Sequence, residues 1–73
     1  MQLESTSRTI VIVNGESTET DARTLAELVA ARGLGEAAVA TALNGEFVAR
    51  DARATTQLRH GDRVEIVAPR QGG

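Results

Sequence analysis

The 73-residue chain has no cysteine, no lysine, no tryptophan and no tyrosine, and it has one phenylalanine, one proline and one histidine. Without cysteine there is no disulfide framework, no thiolate metal site and no cysteine nucleophile. A single histidine, His60, excludes a multi-histidine metal site. With Phe47 as the lone aromatic, almost nothing is left to stack a nucleic-acid base or cage a cation. Without lysine the chain cannot be the lysine-linked unit of a ubiquitin-type polymer. That absence suits a protein carrying an activated acyl group, but an arginine-for-lysine bias from a GC-rich genome is the favoured reading of it. No apolar run approaches the ~20 residues that span a bilayer, and no signal-peptide pattern opens the chain. A cytoplasmic domain with no membrane and no nucleic-acid partner is the expectation.

What is present is modest. Eight cations, all arginine, stand against ten acids, for a net charge of −2. The arginines are scattered among the acids, so no stripe of one sign forms to hold a phosphate backbone. Hydrophobic residues make up 41%, but many are alanines, which bury little area each. Burial yields roughly 25 cal/mol per Å² of apolar surface against about 1.5 kcal/mol of ordering cost per residue. A chain of this size ends near balance and cannot maintain an elaborate buried catalytic pocket, so function is expected on a surface or at a terminus.

The order of elements is readable. Thr9-Ile10-Val11-Ile12-Val13 is a β-branched strand followed at once by Asn14-Gly15, whose residues tolerate the positive φ angles of a type I′ hairpin turn. Glu16 to Thr20 returns as a polar strand. Thr24-Leu25-Ala26-Glu27 is a capping box opening a helix of two to three turns, with Leu25, Leu28 and Val29 on its apolar face. Arg32 suits the helix dipole, Gly33 the left-handed position after the last turn, and Leu34 the hydrophobic closure. The hairpin device then repeats: Val39 to Leu43, Asn44-Gly45, and Glu46 to Val48. Ala49 to Leu58 reads as irregular with Leu58 as an anchor, and Arg63 to Ala68 forms a last strand after the His60-Gly61-Asp62 turn. Hairpin, helix, hairpin and final strand predict an α+β fold of the β-grasp (ubiquitin-like) type. In it one main helix covers one face of a mixed four- to five-stranded sheet, with the last strand parallel to the first. The expected limits are a frayed lead-in over 1–8, the domain over 9–68 and a flexible tail over 69–73.

Catalytic constellations are weak. His60 and Asp62 with Thr55 and Thr56 read as a polar turn, and Asp51, Glu46 and Glu65 lack the dense spacing of calcium loops, so no metal site is expected. No Gly-rich phosphate loop precedes the helix. The chain is therefore expected not to be an enzyme, and no cofactor is expected to bind to it. The remaining feature is the end, Ala68-Pro69-Arg70-Gln71-Gly72-Gly73. Pro69 donates no ladder hydrogen bond, so the strand stops there. Two glycines make a thin strip able to thread a narrow active site, with an unhindered carboxylate on Gly73. Such a carboxylate reacts only after activation by another protein with ATP.

The ordered set of Ile12-Val13-Asn14-Gly15-Glu16, Thr24 to Leu28, Ala42 to Glu46, Gly61 to Val67 and Ala68 to Gly73 resembles the ThiS family of sulfur-carrier proteins of bacterial thiamin biosynthesis. The resemblance covers Thr9 to Gly73. It implies that an E1-like adenylyltransferase of the ThiF type converts the Gly73 carboxylate to an acyl-adenylate with MgATP. A persulfide donor then delivers sulfur to give a C-terminal thiocarboxylate, and a ThiG-type thiazole synthase takes that sulfur. Gly73 carries the sulfur, while Gly72, Gln71 and Arg70 thread into the partner's active site. Other readings are a molybdopterin synthase small-subunit type of carrier and a non-covalent ubiquitin-like binding module. Strand alternation places Val11, Val13, Val64 and Ile66 under the helix. It places Ile10, Ile12, Ala40, Ala42 and Val67 on the opposite face as a partner-docking patch.

Overall fold

In the computed structural model, which describes residues 8–35 and 37–68, both Asn-Gly pairs form the expected turns. Asn14 and Gly15 have φ of 50° and 87°, and Asn44 and Gly45 have 51° and 88°. These are the paired positive φ values of a type I′ turn, whose twist matches that of the strands it joins. The first turn joins β1 (Thr9–Val13) to β2 (Glu16–Thr20). The second joins β3 (Ala40–Leu43) to β4 (Glu46–Val48), and β5 (Arg63–Val67) closes the sheet.

The five strands lie in the order β2-β1-β5-β3-β4. β5 runs parallel to β1 and antiparallel to β3, so the last strand sits in the middle with a hairpin on each side. This is the β-grasp arrangement expected from the order of elements.

The helix α1 (Leu25–Ala31) begins at Thr24, whose Oγ1 accepts the Glu27 N–H at 3.2 Å. The Glu27 carboxylate reaches back one residue further than a standard capping box, to the Arg23 N–H at 2.7 Å. The Thr24 segment is itself drawn into a bridge with Gln57, and the Leu25 N–H donates to the Thr56 carbonyl. At the other end Gly33 takes φ of 77° while its N–H donates to Ala30 and that of Leu34 to Val29. Those two bonds satisfy orphaned helix carbonyls.

Leu25, Leu28 and Val29 meet Val11, Val13, Val64 and Ile66 in one core, with Leu34, Val39, Leu43, Val48 and Leu58 packed at its margin. The helix thus covers the face that alternation assigned to it. Ala49 to Leu58 departs from the irregular stretch expected: Arg50–Thr55 is a 3₁₀ helix. Its residues show no apolar periodicity to signal it. It is held by polar bonds instead, from the Thr56 N–H to the Arg53 carbonyl and from the Thr55 and Thr56 hydroxyls to the Ala52 carbonyl. The expected lead-in (apart from Arg8) and the tail from Pro69 onward lie outside the described residues. Among the described residues no helix is long and apolar enough to cross a membrane.

Candidate functional site

The strand from which the tail departs is gripped from both sides by the two turn asparagines. Asn14 Nδ2 donates to the Ile66 carbonyl at 3.1 Å, and Asn14 Oδ1 accepts the Ile66 N–H at 2.9 Å. This side chain prolongs the β1–β5 pairing past the end of β1, because an amide reproduces the donor and acceptor of a peptide group. From the other side Asn44 Oδ1 accepts the Arg63 N–H at 2.9 Å, and Asn44 Nδ2 donates to Asp62 Oδ1 at 3.0 Å. Asp62 Oδ2 in turn accepts the Arg59 N–H at 2.8 Å. The position of β5, and with it the root of the tail, is therefore over-determined by side chains that the sequence presents as turn formers.

The His60–Asp62 pair is engaged in the same way. Asp62 is committed to its turn and to Asn44, and His60 Nδ1 faces the Ile10 N–H at 3.4 Å. Among the described residues no group of three His, Asp or Glu side chains could hold a metal ion.

On the sheet face away from the helix, register decides which residues meet. Ala40 pairs with Val67, and Ala42 pairs with both Glu65 and Phe47. Ile10 pairs with Glu19, and Ile12 with Ser17 and Arg63. Of the residues expected to form one docking patch, Ala40, Ala42 and Val67 are brought together. Ile10 and Ile12 lie on the far side of β5, which presents Arg63 and Glu65 on this face. Because Ile12 is level with Arg63, Val67 stands four residues, about 13 Å, further along. Gly73, Gly72, Gln71 and Arg70 lie outside the described residues.

Phe47 joins the Val67 side, and sequence reasoning did not place it there. It is 73% exposed and Val67 59%, the two most exposed large hydrophobic side chains of the described residues. A strict alternation count through the three-residue strand β4 does put Phe47 on the open face beside Ala42, so the signal was present. These two side chains help line an open depression of about 480 Å³, together with Ala38, Val39, Ala40, Arg50 and Arg53.

Arg53 is the unexpected residue. It is 6% exposed, with Nε donating to Thr41 Oγ1 at 2.9 Å and Nη2 to the Val39 carbonyl at 2.6 Å. Thr41, buried at 2% in an otherwise apolar strand, passes the chain on by donating from Oγ1 to the Val48 carbonyl at 2.8 Å. Its burial now has a reason: the hydroxyl satisfies a buried guanidinium and a strand carbonyl at once. No pattern in the sequence marks Arg53 among the chain's eight arginines, since its burial depends on a 3₁₀ helix folding against β3.

With this geometry in place, comparison with known proteins is decisive. The ThiS family model matches residues 3–73. The chain belongs to the ThiS family. Two solved structures of a thiamine biosynthesis protein (ThiS) from Geobacter metallireducens are similar to it. The crystal structure shares 33% identity at a TM-score of 0.73, covering 89% of this chain and all of that one. The solution structure shares 30% identity at the same TM-score, covering 89% of this chain and 88% of that one. Among curated proteins, none matches. The ThiS match extends to the closing Gly72-Gly73, and it takes in both turn asparagines and the residues of the depression.

Proposed function

We propose that the chain is a sulfur carrier of thiamin biosynthesis that works through its C-terminal carboxylate. The observation that carries the reading is ThiS-family membership over residues 3–73, a span that includes Gly72-Gly73. The fold supports it physically: a central strand clasped by Asn14 and Asn44 gives a fixed root from which a slim, side-chain-free end can reach into an enzyme.

In this cycle an E1-like adenylyltransferase of the ThiF type uses MgATP to convert the Gly73 carboxylate to an acyl-adenylate, releasing pyrophosphate. A carboxylate resists nucleophiles because its charge is delocalised, and the mixed anhydride removes that protection and supplies AMP as a leaving group. The terminal sulfur of a persulfide displaces AMP to form an acyl disulfide. A second thiol then attacks the donor's sulfur, forming a disulfide with it and releasing the carrier as a thiocarboxylate. A ThiG-type thiazole synthase then takes the sulfur. The chain is a co-substrate in every step, while the catalytic residues belong to its partners. Without lysine the chain offers the activated carbonyl no side-chain amine of its own.

The test is intact mass after incubation with MgATP, a persulfide donor and the adenylyltransferase. The expected result is a gain equal to one oxygen exchanged for one sulfur, abolished by deleting Gly73. An unchanged mass, with the enzyme competent on a carrier it is known to modify, overturns the reading and leaves a non-covalent ubiquitin-like module.

A further inference from the structure

We propose that the depression beside Phe47 and Val67 docks a partner segment that inserts an aliphatic side chain and sets a carboxylate against Arg50 and Arg53. This rests on the carrier reading and adds to it the chemistry of the partner surface. Three observations carry it. The first is exposure: Phe47 and Val67, the largest apolar liabilities of the described surface, flank the same depression. A bulky apolar side chain held out into water beside a concavity is the usual form of an interface anchor.

The second is charge. Among the described residues, the ionisable side chains lining the depression are both arginines, in a chain whose net charge is −2. Arg53 is buried with its guanidinium bonded to two neutral oxygens, and among the described residues no carboxylate lies within 4.0 Å of it. A desolvated cation with neutral partners gains more from an arriving anion than an exposed one does, because solvent screens the contact less. Arg50 is exposed, its one side-chain hydrogen bond among the described residues is a long one to the Gly35 carbonyl at 3.4 Å, and a small swing brings it onto the same anion. A guanidinium presents donors in a planar fork matched to a carboxylate.

The third is position. Val67 is the last residue of β5, so a partner seated here holds the carrier at the root of the segment that enters its active site.

The experiment is calorimetric binding of the full chain to the ThiF-type adenylyltransferase at two salt concentrations. Phe47→Ala and Arg50→Glu each alter an exposed side chain, and circular dichroism checks that both stay folded. Each is expected to weaken binding at least ~tenfold, with Ile10→Ser within about twofold of the wild type as the control on the other side of β5. Arg50→Glu is also expected to flatten the salt dependence, since a screened charge pair is lost. Wild-type affinity in both variants overturns the proposal, as does an equal loss in Ile10→Ser. An unchanged salt dependence in Arg50→Glu overturns the carboxylate. Tighter binding after removal of residues 69–73, or a dimer of the chain abolished by Phe47→Ala, assigns the depression to another occupant and overturns it too. Failure of the wild-type chain to gain mass strikes the carrier reading instead, whereas a mass gain with unaffected variants strikes the depression alone.

Discussion

The two hairpins use one turn and do different work. Both are Asn-Gly-Glu, with φ values agreeing to within one degree at each position. The first hairpin supplies the core: Val11 and Val13 of β1 are buried against the helix. The second replaces an apolar core position with Thr41 and buries Arg53 behind it, while turning Phe47 to the outside. A local code repeated in the sequence can therefore build an apolar, stabilising element in one place and, in another, a hairpin with a polar centre and an exposed aromatic. What separates them is the neighbour each hairpin meets, which for β1 is the apolar face of α1 and for β3 includes a 3₁₀ helix carrying a cation.

The difference can be broken by substitution, with stability read from urea unfolding followed by circular dichroism because the chain lacks tryptophan and tyrosine. The largest effect is expected in the first hairpin. Val11→Ala removes two methyl groups from a fully buried site and should cost about 2–3 kcal/mol. In a domain whose total stability is on the order of 5 kcal/mol, that puts a sizeable unfolded fraction within reach. Val48→Ala, at the half-buried margin of the second hairpin, should cost less, and an equal cost would erase the contrast.

The turn asparagines come next. Asn14→Ala should cost about 2 kcal/mol, through two part-buried hydrogen bonds and a positive φ that alanine resists. Asn44→Ala should cost about half as much, because its bonds are exposed and water replaces them. Asn14→Gly keeps the backbone angle and isolates the hydrogen-bond share. If the two alanine variants are equally destabilised, the clasp on Ile66 has no special weight.

Thr41→Val tests the polar centre of the second hairpin. It preserves shape but strands Arg53 Nε and removes one of the bonds to the Val48 carbonyl, at an expected cost of about 1–2 kcal/mol. Val13→Thr, the converse change in the first hairpin, should cost at least as much since no partner waits for the hydroxyl. The smallest effect belongs to Phe47→Ala, which should move stability by no more than about 0.5 kcal/mol, as its side chain is largely in water. A large loss there would make Phe47 a structural residue and weaken its assignment to a docking surface.

Most of the fold was legible before the structure because its signals are local. Asn-Gly needs only its own backbone freedom to choose a type I′ turn, Thr24 and Glu27 cap a helix within one turn, and Gly33 ends it. Alternation in β1 and β5 separated the helix-covered valines and isoleucine from their neighbours, and the burial pattern agrees. The site was legible only in part. Ala40, Ala42 and Val67 do share a face, but whether Ile12 lies beside Val67 is a matter of register between strands fifty residues apart in the chain, and no single-strand pattern encodes it.

By itself, then, the amino-acid sequence determined what short-range sterics and hydrogen bonding can decide, namely the turns, the caps and the strand faces, and its ordered motifs pointed to the family. Tertiary structure alone decided that Asn14 and Asn44 clasp β5, that Arg53 is buried against Thr41, and that Phe47 and Val67 flank one depression beside the root of the tail. Those outcomes join residues far apart in the chain through contacts that form only once the sheet has closed around its last strand, and the energy that selects them belongs to the assembled core.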